Sequence, residues 1–293
     1  NRHFFINNLL RIKDVVVAIN KMDLVDYSEE TYNAIKADFE ELMAKRDYQD
    51  QKITFIPVSA LKGDNVVNKS EKMAWYKGQS LLEHFEALDR KDIFNVGTPR
   101  FPVQYVIRPK TDEHHDFRGF AGKVYGGELS VGDDVVALPS QTRSRIKDIY
   151  FHDKKYKTAS RRSSVTITLD DEINLSRGDM LVKVGDLPTV DKHFTATISW
   201  MDSLPLAAGN KYIVQHGVNK VLAKVEQVHH KIAPDYSGID TETDSLGMND
   251  IAQVSFRLNK PIFYDQFKNH RTNGSFILID TKSNSTVGAG FIS

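Results

Sequence analysis

Asp14-Val-Val-Val-Ala-Ile19 runs straight into Asn20-Lys-Met-Asp23, and the reading of this junction decides the fold. Val15, Val16, Val17 and Ile19 are β-branched, and so short an unbroken apolar run suits a parallel strand buried on both faces. The polar loop that follows lies beyond the carboxyl end of that strand, where open α/β sheets bind their ligands. Working outward, Ser28 serves as an N-cap with Glu29 and Glu30 in the first turn, where the helix dipole favours acids. Tyr32, Ile35, Phe39 and Leu42 then mark an amphipathic helix reaching Arg46. Ile53-Thr-Phe-Ile-Pro-Val58 predicts a second buried strand, and Gln79 to Leu88 a further helix. Upstream, Phe4, Phe5, Leu9, Leu10 and Ile12 recur at helical spacing. Strand, helix, strand, helix implies a parallel sheet with crossover connections.

The chain has 293 residues, and at about 150 residues per domain that suggests two domains, or three small ones. A hydrophobic fraction of 40% and a charged fraction of 27% exclude a wholly disordered chain. Lys+Arg and Asp+Glu are 39 each, so the net charge is zero. A bulk electrostatic binder of nucleic acid carries a positive excess, so nucleic acid is not expected as a partner. There are no cysteines, which excludes disulfides, thiolate metal sites and a cysteine nucleophile. No apolar run reaches the ~18 residues of a membrane span. No membrane association is expected, and the cytoplasm is the expected location.

After Gly97-Thr-Pro99 the texture changes to short alternating runs separated by Gly, Asp, Asn and Pro, the pattern of β-barrels or sandwiches. A second break falls at Val184-Gly-Asp-Leu-Pro188. The expected organisation is therefore an α/β piece over 1–97 and two β domains over 98–188 and 189–293. One basic run stands out: Arg143, Arg145, Lys147, Lys154, Lys155, Lys157, Arg161 and Arg162. It reads either as a phosphate- or partner-binding patch or as the solvated face of exposed hairpins, and the second reading is favoured. His114-His115 and His229-His230 invite a metal, but neighbours on a strand point to opposite faces, so surface histidines are the better reading. Trp200-Met-Asp-Ser-Leu-Pro-Leu206 reads as a hairpin with one buried Trp, ahead of a partner-facing loop. Ala233 to Ser245 has the low hydrophobicity of a surface loop.

The loop at 20–23 has the chemistry of a guanine site. A carboxylate at Asp23 can accept from the ring N1–H and the exocyclic amine together. Adenine lacks that pair of donors, and an unmet buried polar group costs about 1–3 kcal/mol, more when charged. Asn20 can reach the far edge of the base and brace the neighbouring loops, while the stem of Lys21 lies across the base plane. Ser59-Ala60-Leu61 follows the second strand, and a backbone N–H there, that of Ala60, can donate to the guanine O6.

These segments resemble the two base-recognition motifs of the translation-factor GTPases, in which a G domain precedes two β-barrels. Asp116-Phe-Arg-Gly-Phe-Ala-Gly-Lys-Val124 with Gly127 to Val135 resembles the start of the second domain, and Leu175-Ser-Arg-Gly-Asp-Met-Leu181 its end. Gly274-Ser-Phe-Ile-Leu-Ile-Asp280 and Thr286-Val-Gly-Ala-Gly-Phe291 resemble the closing strands of the third. Within that group, several stretches resemble the large, GTP-binding subunit of bacterial sulfate adenylyltransferase: Asn20 to Glu30, Ser59 to Val66 with Trp75-Tyr76, and Pro205 to His216. The fold implied is α/β plus all-β: the C-terminal half of a P-loop-type G domain, then two β-barrels. The resemblance implies GTP as nucleotide, bound through Asn20, Lys21, Asp23, Ser59, Ala60 and Leu61, with magnesium accompanying it in the intact protein. It also implies a separate small catalytic subunit as partner. The pair makes adenylyl sulfate and pyrophosphate from ATP and sulfate, driven by GTP hydrolysis. The other family member weighed is an elongation factor that delivers aminoacyl-tRNA. No Gly-x-x-x-x-Gly-Lys-Ser/Thr phosphate loop occurs in the chain. The loop, the switch segments and the magnesium ligands are expected to precede Asn1, so no catalytic or metal-binding residue is expected here. This polypeptide alone is expected neither to hydrolyse GTP nor to bind it tightly.

Overall fold

A computed structural model describes residues 2–45, 48–88, 97–109, 117–233 and 238–293. The chain divides into two compact units, Asn1–Ile93 with Ala233–Gly238, and Phe94–Ile232 with Ile239–Ser293.

In the first unit, helix α1 (Arg2–Leu9) leads to strand β1 (Asp14–Ile19), helix α2 (Glu29–Ala44), strand β2 (Lys52–Pro57) and helix α3 (Leu81–Ala87). β1 and β2 pair in parallel from Asp14↔Lys52 to Ile19↔Pro57, with α2 as the crossover. The Ser28 hydroxyl accepts from Thr31 N–H at 3.1 Å and starts α2. α3 opens with a reciprocal cap. Ser80 Oγ accepts from Glu83 N–H at 3.2 Å, and the Glu83 carboxylate accepts from Ser80 N–H at 2.9 Å. Residues 46–47, where the sequence carried α2 onward, lie outside the described residues. Phe39 bridges the layers, edge-on to Phe4 of α1 and to Phe55 of β2. Ile19, Met22, Tyr32 and Met73 form the small buried core. β1 departs from expectation: Asp14 to Val17 are half-buried rather than buried on both faces. Among the described residues β2 is the sole strand paired with it, so one side of the strand has no sheet neighbour.

In the second unit, six strands close the first barrel: β3 (Arg100–Ile107), β4 (Gly119–Lys123), β5 (Asp134–Leu138), β6 (Thr142–Phe151), β7 (Ser164–Leu169) and β8 (Met180–Lys183). Around the barrel they run β7-β4-β3-β8-β5-β6 and back to β7. Phe101, Val103, Phe120, Ile146, Ile149 and Ile167 fill its interior. A second barrel closes through β9 (Thr189–Trp200), β10 (Lys211–His216), β11 (Asn219–Ile232), β12 (Ile251–Tyr264), β13 (Ser275–Asp280) and β14 (Thr286–Ile292). Along β9 the period-2 pattern is plain: Phe194, Ala196, Ile198 and Trp200 are buried and the residues between them half-buried. Trp200 is a core residue, and its indole N–H donates to Leu204 carbonyl at 2.8 Å. The buried Trp of the 200–206 reading is thus found, but the hairpin is not: β9 pairs with β12 and β14, whereas Leu206–Ala207 pairs with Ser245–Leu246.

On β5 and β8 both faces are buried. Val135, Ala137 and Leu181 point into the first barrel. Val136, Leu138, Met180 and Val182 instead pack on Phe263 of β12, so the outer face of one barrel receives a side chain from the other. Beside this plug Arg100, 2% exposed, grips Asp265 with two parallel bonds of 2.9 Å. Arg100 also donates to Asp186 carbonyl at 2.9 Å. Asn273 donates to Asp265 at 2.7 Å, and His216 Nε2 pairs with Asn273 carbonyl at 2.8 Å.

Arg143, Arg145 and Lys147 of the basic run lie on β6 and Lys154 and Lys155 on the short strand Lys154–Tyr156 paired to it, all exposed; Lys157, Arg161 and Arg162 follow that strand, Arg161 half-buried. Arg145 pairs with Asp134 at 3.0 Å and Lys155 with Asp148 at 2.9 Å, as on a solvated hairpin face. His229 bonds Ser255 Oγ at 2.6 Å, while His114 and His115 lie outside the described residues. In the 233–245 segment the described residues are mostly exposed, and Ile239–Asp240 pairs with the end of β11. Residues 234–237 lie outside the described residues.

Candidate nucleotide-base site

β1 and β2 are adjacent and parallel, so the loops after them leave the same edge of the sheet side by side. Backbone bonds extend the pairing past the strand ends: Val58 N–H donates to Ile19 carbonyl at 2.9 Å, and Met22 N–H to Val58 carbonyl at 3.2 Å. The first loop then turns sharply. Lys21 has φ 65°, in the left-handed region, and caps a short 3₁₀ turn over Met22–Val25. That turn buries Met22 as an anchor and leaves Asn20 and Lys21 exposed beside a half-buried Asp23.

The side chains of the two loops meet directly. Asn20 Oδ1 accepts from Lys21 N–H at 2.8 Å and from Ala60 N–H at 3.0 Å. Ser59, fully buried, donates its hydroxyl to Asp23 Oδ1 at 2.6 Å and accepts from Lys62 N–H at 3.3 Å. Four of the residues singled out from sequence, Asn20, Asp23, Ser59 and Ala60, thus form one bonded cluster across 40 positions of chain. Lys21 joins it through its backbone N–H, its side chain exposed, and Leu61 flanks it, 83% exposed.

Two features were missed from the sequence. One is the use of the Ser59 hydroxyl to hold the Asp23 carboxylate. The other is that Ala60 N–H already has an acceptor in Asn20, so a base carbonyl arriving there shares or takes over that donor. The signal for the first was the Ser-Ala-Leu order itself: a hydroxyl immediately after a strand that neighbours the Asp23 loop.

Among the described residues no group of three or more His, Cys, Asp or Glu could hold a metal ion. No described helix is long and apolar enough to cross a membrane.

The elongation factor Tu GTP binding domain matches residues 1–93, and the GTP-eEF1A C-terminal domain-like family matches residues 193–293. Both descriptions are those of translation-factor GTPases, and they match the two ends of this chain. Sulfate adenylyltransferase subunit 1 of Colwellia psychrerythraea is 42% identical over 99% of this chain and 61% of its own length. The protein of the same name from Bacteroides fragilis is 42% identical over 99% and 60%. The chain therefore spans about 60% of the length of the curated relatives it matches. A solved structure of sup35 complexed with GDP shares the fold, with a TM-score of 0.60 at 18% identity over 99% of this chain and 72% of that one. A segment that matches a GTP-binding domain model, followed in sequence by two closed barrels, is the fold that the resemblance implied.

Proposed function

We propose that this chain supplies the guanine-recognition half of the GTP site in the GTPase subunit of a sulfate adenylyltransferase. The observation that carries the reading is the Asn20–Ala60 and Asp23–Ser59 pairing, in a chain similar along almost its whole length to proteins named subunit 1 of that enzyme. Asp23, with Oδ1 fixed by Ser59, accepts from the guanine N1–H and 2-amino groups. Asn20 keeps its Nδ2 for the far edge of the ring, and Ala60 N–H turns to O6. The Lys21 stem covers one face of the base, and Leu61 closes the loop beside it. GTP and GDP are the nucleotides, and no residue of this chain is assigned to magnesium. Domain boundaries fall near residues 97 and 188, and the protein works in the cytoplasm.

In this reading GTP hydrolysis drives an unfavourable adenylyl transfer on a small catalytic partner, which makes adenylyl sulfate and pyrophosphate from ATP and sulfate. The switch is a two-state one, its loops answering to the γ-phosphate. The test is recovery of the full-length protein with whatever it retains. A retained protein that releases pyrophosphate from ATP only with sulfate, and faster with GTP, is the expected result. Retained aminoacyl-tRNA without that activity overturns the reading in favour of a translation factor.

A further inference from the structure

The two loops of the base site are tied a second time, farther from the strands. The Tyr27 hydroxyl donates to Asp64 Oδ2 at 2.7 Å, and the Ser70 hydroxyl to Asp64 Oδ1 at 2.7 Å. Lys72 donates to the Tyr27 hydroxyl at 3.2 Å, stands 3.6 Å from the Asp64 carboxylate and lies 5.0 Å from the centre of the Tyr27 ring. The Trp75 indole N–H donates to Tyr27 carbonyl at 3.0 Å. Asp64 in turn holds the site: its carbonyl accepts from Ser59 N–H at 3.1 Å. Since Ser59 Oγ binds Asp23, a closed ring of contacts runs Asp23, Ser59, Asp64, Tyr27 and back along the chain to Asp23.

The loop needs such a tie. Lys21, Asp26 and Tyr27 have φ of 65°, 49° and 56°, and Asn65 across from them 58°. Non-glycine residues in the left-handed region persist where surrounding bonds over-determine them, and such residues gather at ligand clamps. The tie is also charged at neutral pH. The Tyr27 and Ser70 hydroxyls hold the Asp64 carboxyl below its usual range, and the bond to Asp64 pushes the Tyr27 phenol up.

We infer that Tyr27 and Asp64 are positioning residues for base recognition, a clasp that fixes Ser59, and through it the Asp23 carboxylate, in the orientation that meets the base. The inference rests on the guanine reading above and names what makes that site selective. A tie serving stability alone would leave base selectivity untouched.

The experiment uses the full-length protein and three probes: GDP, inosine diphosphate, which lacks the 2-amino group, and ADP. Affinities are read by calorimetric titration. The wild type is expected to prefer GDP to inosine diphosphate and both to ADP. Y27F and D64N should each weaken GDP about tenfold, the scale of one lost hydrogen bond to a charged group. Each should also shrink the GDP preference over inosine diphosphate, and the double variant should lose no more than one single variant. Y27F removes a single oxygen, so it carries the test if D64N fails to fold. An unchanged ratio of GDP to inosine diphosphate in Y27F overturns the inference, whether both affinities hold or fall together. A wild type indifferent to GDP and ADP overturns the guanine reading itself, a result distinct from the first.

Discussion

Ser59 uses its hydroxyl in both directions from a fully buried position, giving to Asp23 and taking from Lys62 N–H. Ser59→Ala strands the Lys62 donor and frees the Asp23 carboxylate to rotate. GDP affinity of the full-length protein is expected to fall by about 1–3 kcal/mol, measured by calorimetric titration. Asp23→Asn replaces one acceptor by a donor, which suits xanthine, whose C2 carries an oxygen in place of the amine. Preference should swing from guanosine to xanthosine diphosphate, and competition between the two reads it directly. Asn20, Asp23 and Ser59 were legible in the sequence because each sits within a few residues of a strand end, so the topology alone brings them together. Tyr27 and Asp64 were not. They lie 37 positions apart, and no periodicity or motif links a tyrosine in one loop to an aspartate in the other.

Elements were read best where a face repeats. β9 alternates as a strand with one buried face must, and the Ser28 cap sits where a polar residue precedes apolar spacing; the Ser80 cap, one residue inside the helix expected from Gln79, was not read. β1 was read too deeply buried, since an apolar run reports what a strand can tolerate and not how many neighbours cover it. The ends of helices were off by a residue or two, as fraying predicts. The capping box of α3 gives an element-scale prediction. Ser80→Ala removes the acceptor for Glu83 N–H and the donor to Val67 carbonyl at 2.8 Å. A loss of about 1 kcal/mol is expected, or up to about 2 because Ser80 is buried, seen as a lower urea midpoint with the slope unchanged.

In the molecule as a whole the joint between the barrels concentrates buried charge. Burial alone would push the Asp265 carboxyl up, but the bonds from Arg100 and Asn273 and the Arg100 charge outweigh it and hold it below 3.8. Removing the guanidinium leaves that carboxylate poorly solvated, so Arg100→Ala should cost up to about 3–5 kcal/mol, read from the thermal midpoint at neutral pH. The acid side has a definite sign. A carboxyl with a depressed folded value contributes stability above 3.8 and loses it as pH falls through the folded value. Burial also depresses His216 and His270, so the unfolded chain takes up their protons first, and stability begins to fall once pH drops below 6.5. Melting the protein at pH 7.5, 6.0 and 5.0 (on the order of the His range) should show that decline, and H216Q with H270Q should flatten it. The contrast between closed barrels and the β1–β2 pair matters on the bench. A barrel offers no hydrogen-bonding rim, whereas among the described residues each strand of that pair has a single partner, and valines line one of them. Colloidal behaviour should follow from this. Stock solutions of the chain on its own should scatter light increasingly with concentration, by strand-to-strand stacking that begins at Val15–Val17. A lysine placed at Val16 should quiet the scattering and leave the barrels' melting unaltered.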